Sequence, residues 1–358
     1  MVIAGSTVQA TSARDHDIAV AMRPTEAELV RARRRLHRKA VLIAALVGVS
    51  YWGLVFTTHS VVVTVLAAVG LVIGLTATAT SVFHDGNHGS FSTSRLVNRV
   101  AGYTGDLMGA SSWIWKFKHN RLHHGNTNVV GTDMDIEQAP FARLTPQQAW
   151  RPWHRYQHVY MWLLYGFLTL QWFLISDFVD LAQRGIGGHR FPRQPRPRDV
   201  IAIAAGKLLH LTWAVAIPLM FHAWWVVLVV YVSVSWSVGL LLATTFQLAH
   251  CTALVEFAEH DAPRRGEHFV DHQLRTTADI GRGPSVGSGA VHWMMGGLDR
   301  QVEHHLAPRL PHTVYPLVAT RLDRACADGP ERVRRYGGLM PAVRAHGSWL
   351  RAMGRRPV

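Results

Sequence analysis

Hydrophobic positions in this chain fall into long unbroken runs divided by polar, basic stretches, a pattern that predicts membrane-spanning helices in place of the one-faced stripe of a soluble helix. The run from Lys39 to Thr58 has no acidic residue and one base, at its start, and the run from Val61 to Phe83 has no charge at all. Each matches the roughly 20 apolar residues that an α-helix needs to cross the hydrocarbon core. Only His59-Ser60 separates them, so they predict a hairpin. The pattern recurs at Val200 to Met220 and Trp224 to Leu248, with Phe221-His222-Ala223 between. The expected architecture is therefore all-α and integral to the membrane, with four transmembrane helices (about 39–58, 61–83, 200–220 and 224–248) in two hairpins. The cytoplasmic blocks 84–199 and 249–320 form a helical cap over the spans.

A fifth apolar run, Val159 to Ile175, is about 17 residues long, the bottom of the spanning range. A span there would turn the second hairpin upside down, so the run is expected as an interfacial helix anchored by Trp162, Tyr165 and Trp172. Residues 1–22 lack the charged start and apolar core of a cleaved signal and are expected to be a flexible lead-in. Residues 24–38 read as a basic amphipathic helix opened by Pro24 and Thr25. The domain reading is an N-terminal region 1–38, a membrane domain 39–320 and a basic tail 321–358, with a connector at Gly185 to Pro197 and a glycine-rich turn at Gly281 to Gly289.

Charge sets the orientation. Basic residues crowd the approach to the first run (Arg31, Arg33, Arg34, Arg35, Arg38, Lys39), the stretch Arg184 to Arg198 and the C-terminal tail, whereas neither hairpin tip carries Lys or Arg. The positive-inside rule then puts both termini and the long loops on the cytoplasmic side of the membrane. The formal charge of +14 invites a nucleic-acid reading. These bases flank apolar spans without any nucleic-acid motif, and a collar drawn to anionic lipid accounts for them more simply. Cys251 and Cys326 fall on the cytoplasmic side, so no disulfide framework is expected.

Against this frame three histidine clusters stand out: His84-Asp-Gly-Asn-His88, His119-Asn-Arg-Leu-His123-His124 and Gln301-Val-Glu-His304-His305. Residues four apart share a helix face, so His84 can pair with His88 and His119 with His123. Nitrogen ligands almost without sulfur or carboxylate suit a redox metal or zinc. The chain has 22 histidines, and a lone one is usually an ordinary surface or core residue. His59 and His222 at the hairpin tips, and His16, His37, His189, His260, His268 and His346, are read that way. His154, His158, His272, His292 and His312 lie closer to the clusters and stay open. Metal-bound imidazoles hand their second N–H to a carboxylate or carbonyl, which makes Asp85, Asp133, Asp135, Asp299 and Glu303 the candidate partners.

The three boxes, in the forms HDxxH, HxxxHH and QxxHH, their order and their placement after the hairpins resemble the membrane fatty-acid desaturase family, in particular its bacterial linoleoyl-CoA desaturase-like and front-end members. The similarity runs from about residue 40 to 320 and includes Trp115 to His119, Asn126 to Asp135, His154 to His158 and Gly297 to Pro308. The resemblance implies a non-haem di-iron centre held by eight or nine histidines, with O2 as co-substrate. Carried over by residue, the ligands are His84, His88, His119, His123, His124, His304 and His305. His250 has no box, but it ends the fourth apolar run at the membrane boundary, where an ionisable group is a functional candidate, and it is taken as the eighth. Related enzymes carry a histidine where this chain has Gln301, and the amide is left to bind metal, hold a water or orient a neighbour.

The implied activity is O2-dependent insertion of a C=C bond into a fatty acyl chain carried by CoA, a carrier protein or a lipid. The chain has no cytochrome b5-like segment, too few cysteines for an iron–sulfur cluster and no dinucleotide fingerprint. A separate electron donor of ferredoxin, flavodoxin or cytochrome b5 type, with its reductase, is therefore expected. Gly70, Gly74, Ala77, Ala79, Ala243 and Thr244 can leave room for an acyl tunnel or simply let helices pack. Arg95, Arg99, Lys116, Lys118 and Arg121 can meet carrier phosphates or lipid headgroups. The same box logic serves alkane monooxygenases, hydroxylases, carotenoid ketolases and acetylenases. A zinc protease would need an HExxH pair, and a metal transporter would place its ligands near the bilayer midplane.

Overall fold

The structure is a computed structural model that describes residues 13–57, 60–259, 269–281, 287–327, 329 and 331–357. His59, His260, His268, the first twelve residues and 282–286 of the glycine-rich turn lie outside the described residues. The described chain is mainly helical. Four helices are long and apolar enough to cross a membrane: Glu26–Phe56, Val61–His88, Pro197–Leu219 and Trp224–His250.

The first is one continuous helix that fuses the expected basic segment with the expected span. Its start is a reciprocal cap: the Thr25 N–H donates to Glu28 Oε2 at 2.7 Å, and the Glu28 N–H donates to Thr25 Oγ1 at 3.3 Å. The second helix outruns its apolar stretch and carries His84 to His88 as its last turns. Just before them, Thr78–Phe83 is wound as a π-helix. Hydroxyls loosen the ladder there, with Thr78 Oγ1 donating to the Gly74 carbonyl at 2.8 Å and Thr80 Oγ1 to Thr76 at 3.1 Å. Gly89 ends the helix in the left-handed region, at φ 74°.

The run expected as a single interfacial helix is instead broken: Pro152–Tyr165 and Leu168–Gln183 meet at a bend of 69°. The physical cause is Gly166. It lies flat against the Trp236 ring and against Gly239, leaving no room for a side chain. Trp236 Nε1 then takes the Leu163 carbonyl at 3.0 Å. Thr169 Oγ1 donates to the Ser235 carbonyl at 2.8 Å, so the second half of the pair packs on the middle of the fourth long helix.

The chain divides into two compact units. One comprises 34–116 and 163–244 and holds most of the long helices. Inside it Gly70 and Gly74 sit against Ser50 and Val47, so these small residues serve close helix packing. The Tyr51 hydroxyl donates to the Trp213 carbonyl at 2.6 Å.

The other unit comprises the N-terminal segment to Arg33, 117–162 and 245 onward. Its core joins Ile18 and Met22 to Val270, Leu274, Val302, Tyr315, Val318 and Leu322. One expectation changes here. The lead-in is not loose throughout, because Ala13–Ala21 is a helix whose Ile18 is buried in that core. The tail is folded as well. Arg334–Arg335 pairs in parallel with Ala278–Asp279, and the helix Leu339–Met353 buries Ala342, His346 and Leu350. The side chains of Gln157, Arg143 and Trp349 then tie its end to the 140s loop (Gln157 Nε2 to the Leu350 carbonyl, 2.8 Å; Arg143 to Met353, 3.1 Å; Trp349 Nε1 to Leu144, 2.8 Å).

Leu322 is fully buried in this core. Its replacement by Ala is expected to cost about 2–5 kcal/mol, read as a lower melting midpoint of the detergent-solubilised protein, whereas Val61→Ala on an exposed helix face is expected to leave the midpoint within about a degree.

Candidate metal centre

The second box does not lie on a regular α-helix. After the short helix Ser112–Trp115, residues Lys116–His123 are wound as a π-helix, and the His124 N–H closes on the His119 carbonyl at 3.0 Å. A π-turn bonds i to i+5, so the wider turn brings the fifth residue onward beside the first. His119, His123 and His124 therefore converge, with ring centroids 4.7 Å apart for His119 and His124 and 5.3 Å for His119 and His123. The Nε2 atoms of His119 and His124 are 3.1 Å apart.

In the same unit, the helix Gln301–Leu306 contributes His304 and His305, and His250 ends the fourth long helix. The rings gather into one buried group, with centroids of His124 and His304 at 4.5 Å, His124 and His305 at 4.4 Å, His123 and His250 at 4.7 Å, and His250 and His305 at 4.9 Å. Each of His123, His250 and His305 offers a ring nitrogen within 4.8 Å of the other two, and all three are buried. A second such group is His119, His123 and Asp135. Buried imidazoles presenting nitrogens at this spacing form a donor set that suits a transition metal.

The partners of these rings fix which nitrogen faces inward. Asp133 is fully buried and a carboxylate only accepts, so its contacts of 3.0 and 3.1 Å with His123 Nδ1 place the proton there and leave Nε2 as the nitrogen able to serve a metal. Asp133 is itself held by the N–H groups of Asn128 at 2.9 Å and Asp135 at 3.0 Å. Burial pushes the His123 pKa down, but the Asp133 and Asp135 carboxylates outweigh it and hold the ring above its ordinary value. Asp135 pairs with Lys118 at 2.8 Å and lies 3.6 Å from His123 Nδ1 and 3.9 Å from His119 Nδ1. Burial opposes its ionisation, yet Lys118 and the two histidines hold its carboxyl well below the usual range.

Two orienting residues carried no signal in the sequence. Thr127 Oγ1 lies 3.1 Å from His305 Nδ1 and 3.0 Å from Gln273 Oε1. One hydroxyl proton serves one acceptor, so with Gln273 or the His123 carbonyl taking it, His305 Nδ1 donates to Thr127 and its Nε2 is left inward. The Tyr315 hydroxyl stands 3.2 Å from His304 Nδ1 and holds that ring in place. Asn128 Nδ2 donates to the His250 carbonyl at 2.8 Å and so holds the end of that helix. Nothing about a lone Thr or Tyr in the sequence announces such a role.

Other expected partners turn out otherwise. Asp299 serves His292, at 2.7 Å from its Nδ1, and no box histidine. Glu303 is buried near Asp279, with Arg335 at 3.9 Å, and burial followed by the Asp279 charge raises its pKa well above the usual range. Asp279 is pushed up to about 6 by burial, against the pull of Arg335. Gln301 is buried at the first position of its helix. His272 Nε2 lies 3.0 Å from the Thr127 carbonyl, and His154 spends both ring nitrogens on Arg151 and Pro140, so both act on backbone groups. Lys118 is engaged by Asp135.

In the other unit, His84 and His88 stand together on the last turns of the second long helix, with ring centroids 4.6 Å apart. Trp115 faces both, at 5.8 and 5.9 Å. Gly86 is pressed against Ala101 and Gly102 of the helix Arg95–Gly102, too tightly for any side chain. Asp85 Oδ1 is 3.7 Å from His84 Nδ1.

This arrangement of buried, oriented imidazoles has relatives. Residues 58–337 match the family described as fatty acid desaturase. The chain is 30% identical over 323 residues to the sn-1 linoleoyl-lipid 6-desaturase of Arthrospira platensis, covering 90% of this chain and 86% of that one. It is 31% identical over 296 residues to the enzyme of the same name from Synechocystis sp., covering 82% and 81%. The acyl-lipid (8-3)-desaturase of Physcomitrium patens is 31% identical over 309 residues, covering 85% of this chain and 63% of that one. With apolar helices fit to cross a membrane and buried histidine clusters fit to hold metal, the chain belongs to the fatty acid desaturase family and is an oxidoreductase acting on fatty acids.

Proposed function

We propose that the protein inserts a double bond into an acyl chain esterified in a membrane lipid, using O2 and two external electrons at a pair of non-haem irons. The observation that carries the reading is the buried set His123, His250 and His305, whose ring nitrogens lie within 4.8 Å of one another, with Asp133 and Thr127 orienting two of the rings. The residues proposed to hold the irons are His84, His88, His119, His123, His124, His250, His304 and His305. Iron with O2 supplies the oxidising power that no side-chain acid or base has toward an unactivated C–H bond.

The remaining work belongs to the chain. Asp133 and Thr127 hold imidazole protons on Nδ1 of His123 and His305 and keep their Nε2 atoms inward, and Tyr315 holds the His304 ring. Gln301 offers a buried amide beside the third box. An apolar cavity of about 120 Å³ in the helical unit, lined by Tyr51, Leu71, Met108, His210, Val227 and Tyr231 among others, is proposed to take part of the acyl chain and keep it dry. The names of the relatives favour a lipid-bound, already unsaturated chain over an acyl-CoA. The four long helices are read as two hairpins with both termini and the histidines cytoplasmic, and the bent pair as a re-entrant segment that leaves and returns on that side. A ferredoxin, flavodoxin or cytochrome b5-like donor brings the electrons, drawn by the basic cytoplasmic surface.

Elemental analysis of the purified protein tests the metal assignment. About two irons per chain are expected, from the ligand count and the usual preferences of imidazole sites. Stoichiometric zinc, with no turnover after iron reconstitution, would refute it. For the third box, Gln301→Glu is expected to retain iron and change activity, and Gln301→Leu to lose about tenfold or more of turnover by removing the polar group. Full activity of the Leu variant would show that this position neither binds nor orients.

A further inference from the structure

Lys207 is a buried cation in the middle of the third long apolar helix, where an ionisable group is costly and marks function by default. All three of its protons are used. Nζ donates to the Gly109 carbonyl at 2.6 Å, to the Trp172 carbonyl at 2.9 Å and to Asp177 Oδ2 at 2.6 Å. The same Asp177 oxygen accepts the Ser111 N–H at 2.9 Å.

One turn on, His210 Nδ1 lies 3.0 Å from the Leu107 carbonyl, and Trp213 Nε1 donates to that carbonyl at 2.8 Å. Asp106 Oδ2 accepts the Ser112 N–H at 3.2 Å, and Gly206 lets Asp106 approach the helix closely. Gly109 adopts φ 87° with Phe173 and His210 pressed on it, a conformation and a space that only glycine fits. The backbone of 106–112 is thus gripped at Leu107, Gly109 and Ser111 by one helix and by the bent segment.

What this grip holds has consequences at both ends. Met108 within it and His210 beside it line the apolar cavity. Ser111 caps the helix that follows, its Oγ accepting the Ile114 N–H at 3.3 Å, and that helix sets Trp115 against His84 and His88. The next turn along the chain carries His119 and His123.

We propose that Lys207 and Asp177 are positioning residues that fix the register between the acyl cavity and the first histidine box, and so set which carbon of the chain is attacked. This rests on the desaturase reading and names a determinant of its regioselectivity. A buried ion pair is seldom the most stable filling for its space, and its best-attested use is to specify one arrangement among near equals. Here it is the only side-chain pair, among the bonds described for 106–112, that joins three separate segments.

The test uses Lys207→Met, Asp177→Asn and the double variant Lys207→Met/Asp177→Leu, in the full-length protein. The double variant leaves no orphan charge, so it stays measurable where a single one fails to fold. In metal-free protein, amide exchange at Ser111 and Ser112 is expected to speed up about tenfold or more relative to the rest of the helical unit. In the iron-loaded protein, the product is expected to contain a second double-bond position, located by mass spectrometry of cleaved products. Unchanged exchange would overturn the proposal. So would a single unaltered positional isomer, with turnover reduced only in proportion to the folded, iron-loaded fraction. A wild-type protein that forms no double bond would instead refute the desaturase reading, and the exchange measurement on metal-free protein judges the grip independently of it.

Discussion

Replacing His250 with Ala is expected to remove turnover by more than about 100-fold, beyond the 10–100-fold usual for a partner outside the ligand set, and to lower iron content. His250 lies in no box, yet its ring sits 4.7 Å from His123 and 4.9 Å from His305, and its nitrogen completes their buried group. The substitution spares the backbone, because Asn128 holds the carbonyl and not the ring. The helix should therefore stay inserted with its end in place. His16→Ala, on an exposed face of the N-terminal helix, serves as the control and is expected to keep both iron and turnover. Equal behaviour of the two variants would return His250 to the ordinary histidines of the chain.

The second large effect is expected at Asp133. Its carboxylate accepts from His123 Nδ1 and from the N–H groups of Asn128 and Asp135, with no exposure to water. Asp133→Asn replaces one accepting oxygen by a donating NH2, which cannot take the imidazole proton without giving up a backbone N–H. A 10–100-fold loss of iron affinity is expected, roughly the range for such partners. Competition with a chelator measures it, alongside kcat and KM. Asp299→Asn, whose carboxylate serves His292, is expected to fall short of that loss by about tenfold. Equal losses would show that Asp133 acts as a general electrostatic or folding element and not through His123.

The contrast between those two aspartates shows what was legible in the sequence. The long helices were, because a charge-free run of about 20 residues has few other uses. The boxes were, because spacing of four on a helix is local information. Which carboxylate meets which imidazole was not. Asp299 sits nearer to a box along the chain than Asp133 does, yet the tertiary fold brings only Asp133 onto a box imidazole. The π-winding of Lys116–His123 was hidden for a related reason: the adjacency of His119 and His124 depends on one altered hydrogen-bond register, which residue type does not announce.

The bend at Gly166 escaped because hydropathy averages over a window, and a glycine facing Trp236 and Gly239 leaves that average almost unchanged. Lys207 and His210 escaped for the same reason. One cation and one imidazole inside an apolar run barely lower its mean, while their partners lie about 30 to 100 residues away along the chain. How the basic tail is buried was not legible, because its bases dominate its composition. The residues that bury it, His346 and Leu350, are few and spaced along one helix face.

The most direct test of the account is mass spectrometry of the product formed by iron-loaded protein in lipid nanodiscs. The assay supplies O2, a ferredoxin with its reductase, and phospholipid carrying an isotopically labelled linoleoyl chain. The account predicts lipid-bound acyl chains lighter by two hydrogens, formed only when donor and O2 are both present and absent with the His250→Ala protein. Chains heavier by one oxygen atom, or no change in the lipid by a protein that holds both irons and accepts electrons, would contradict it.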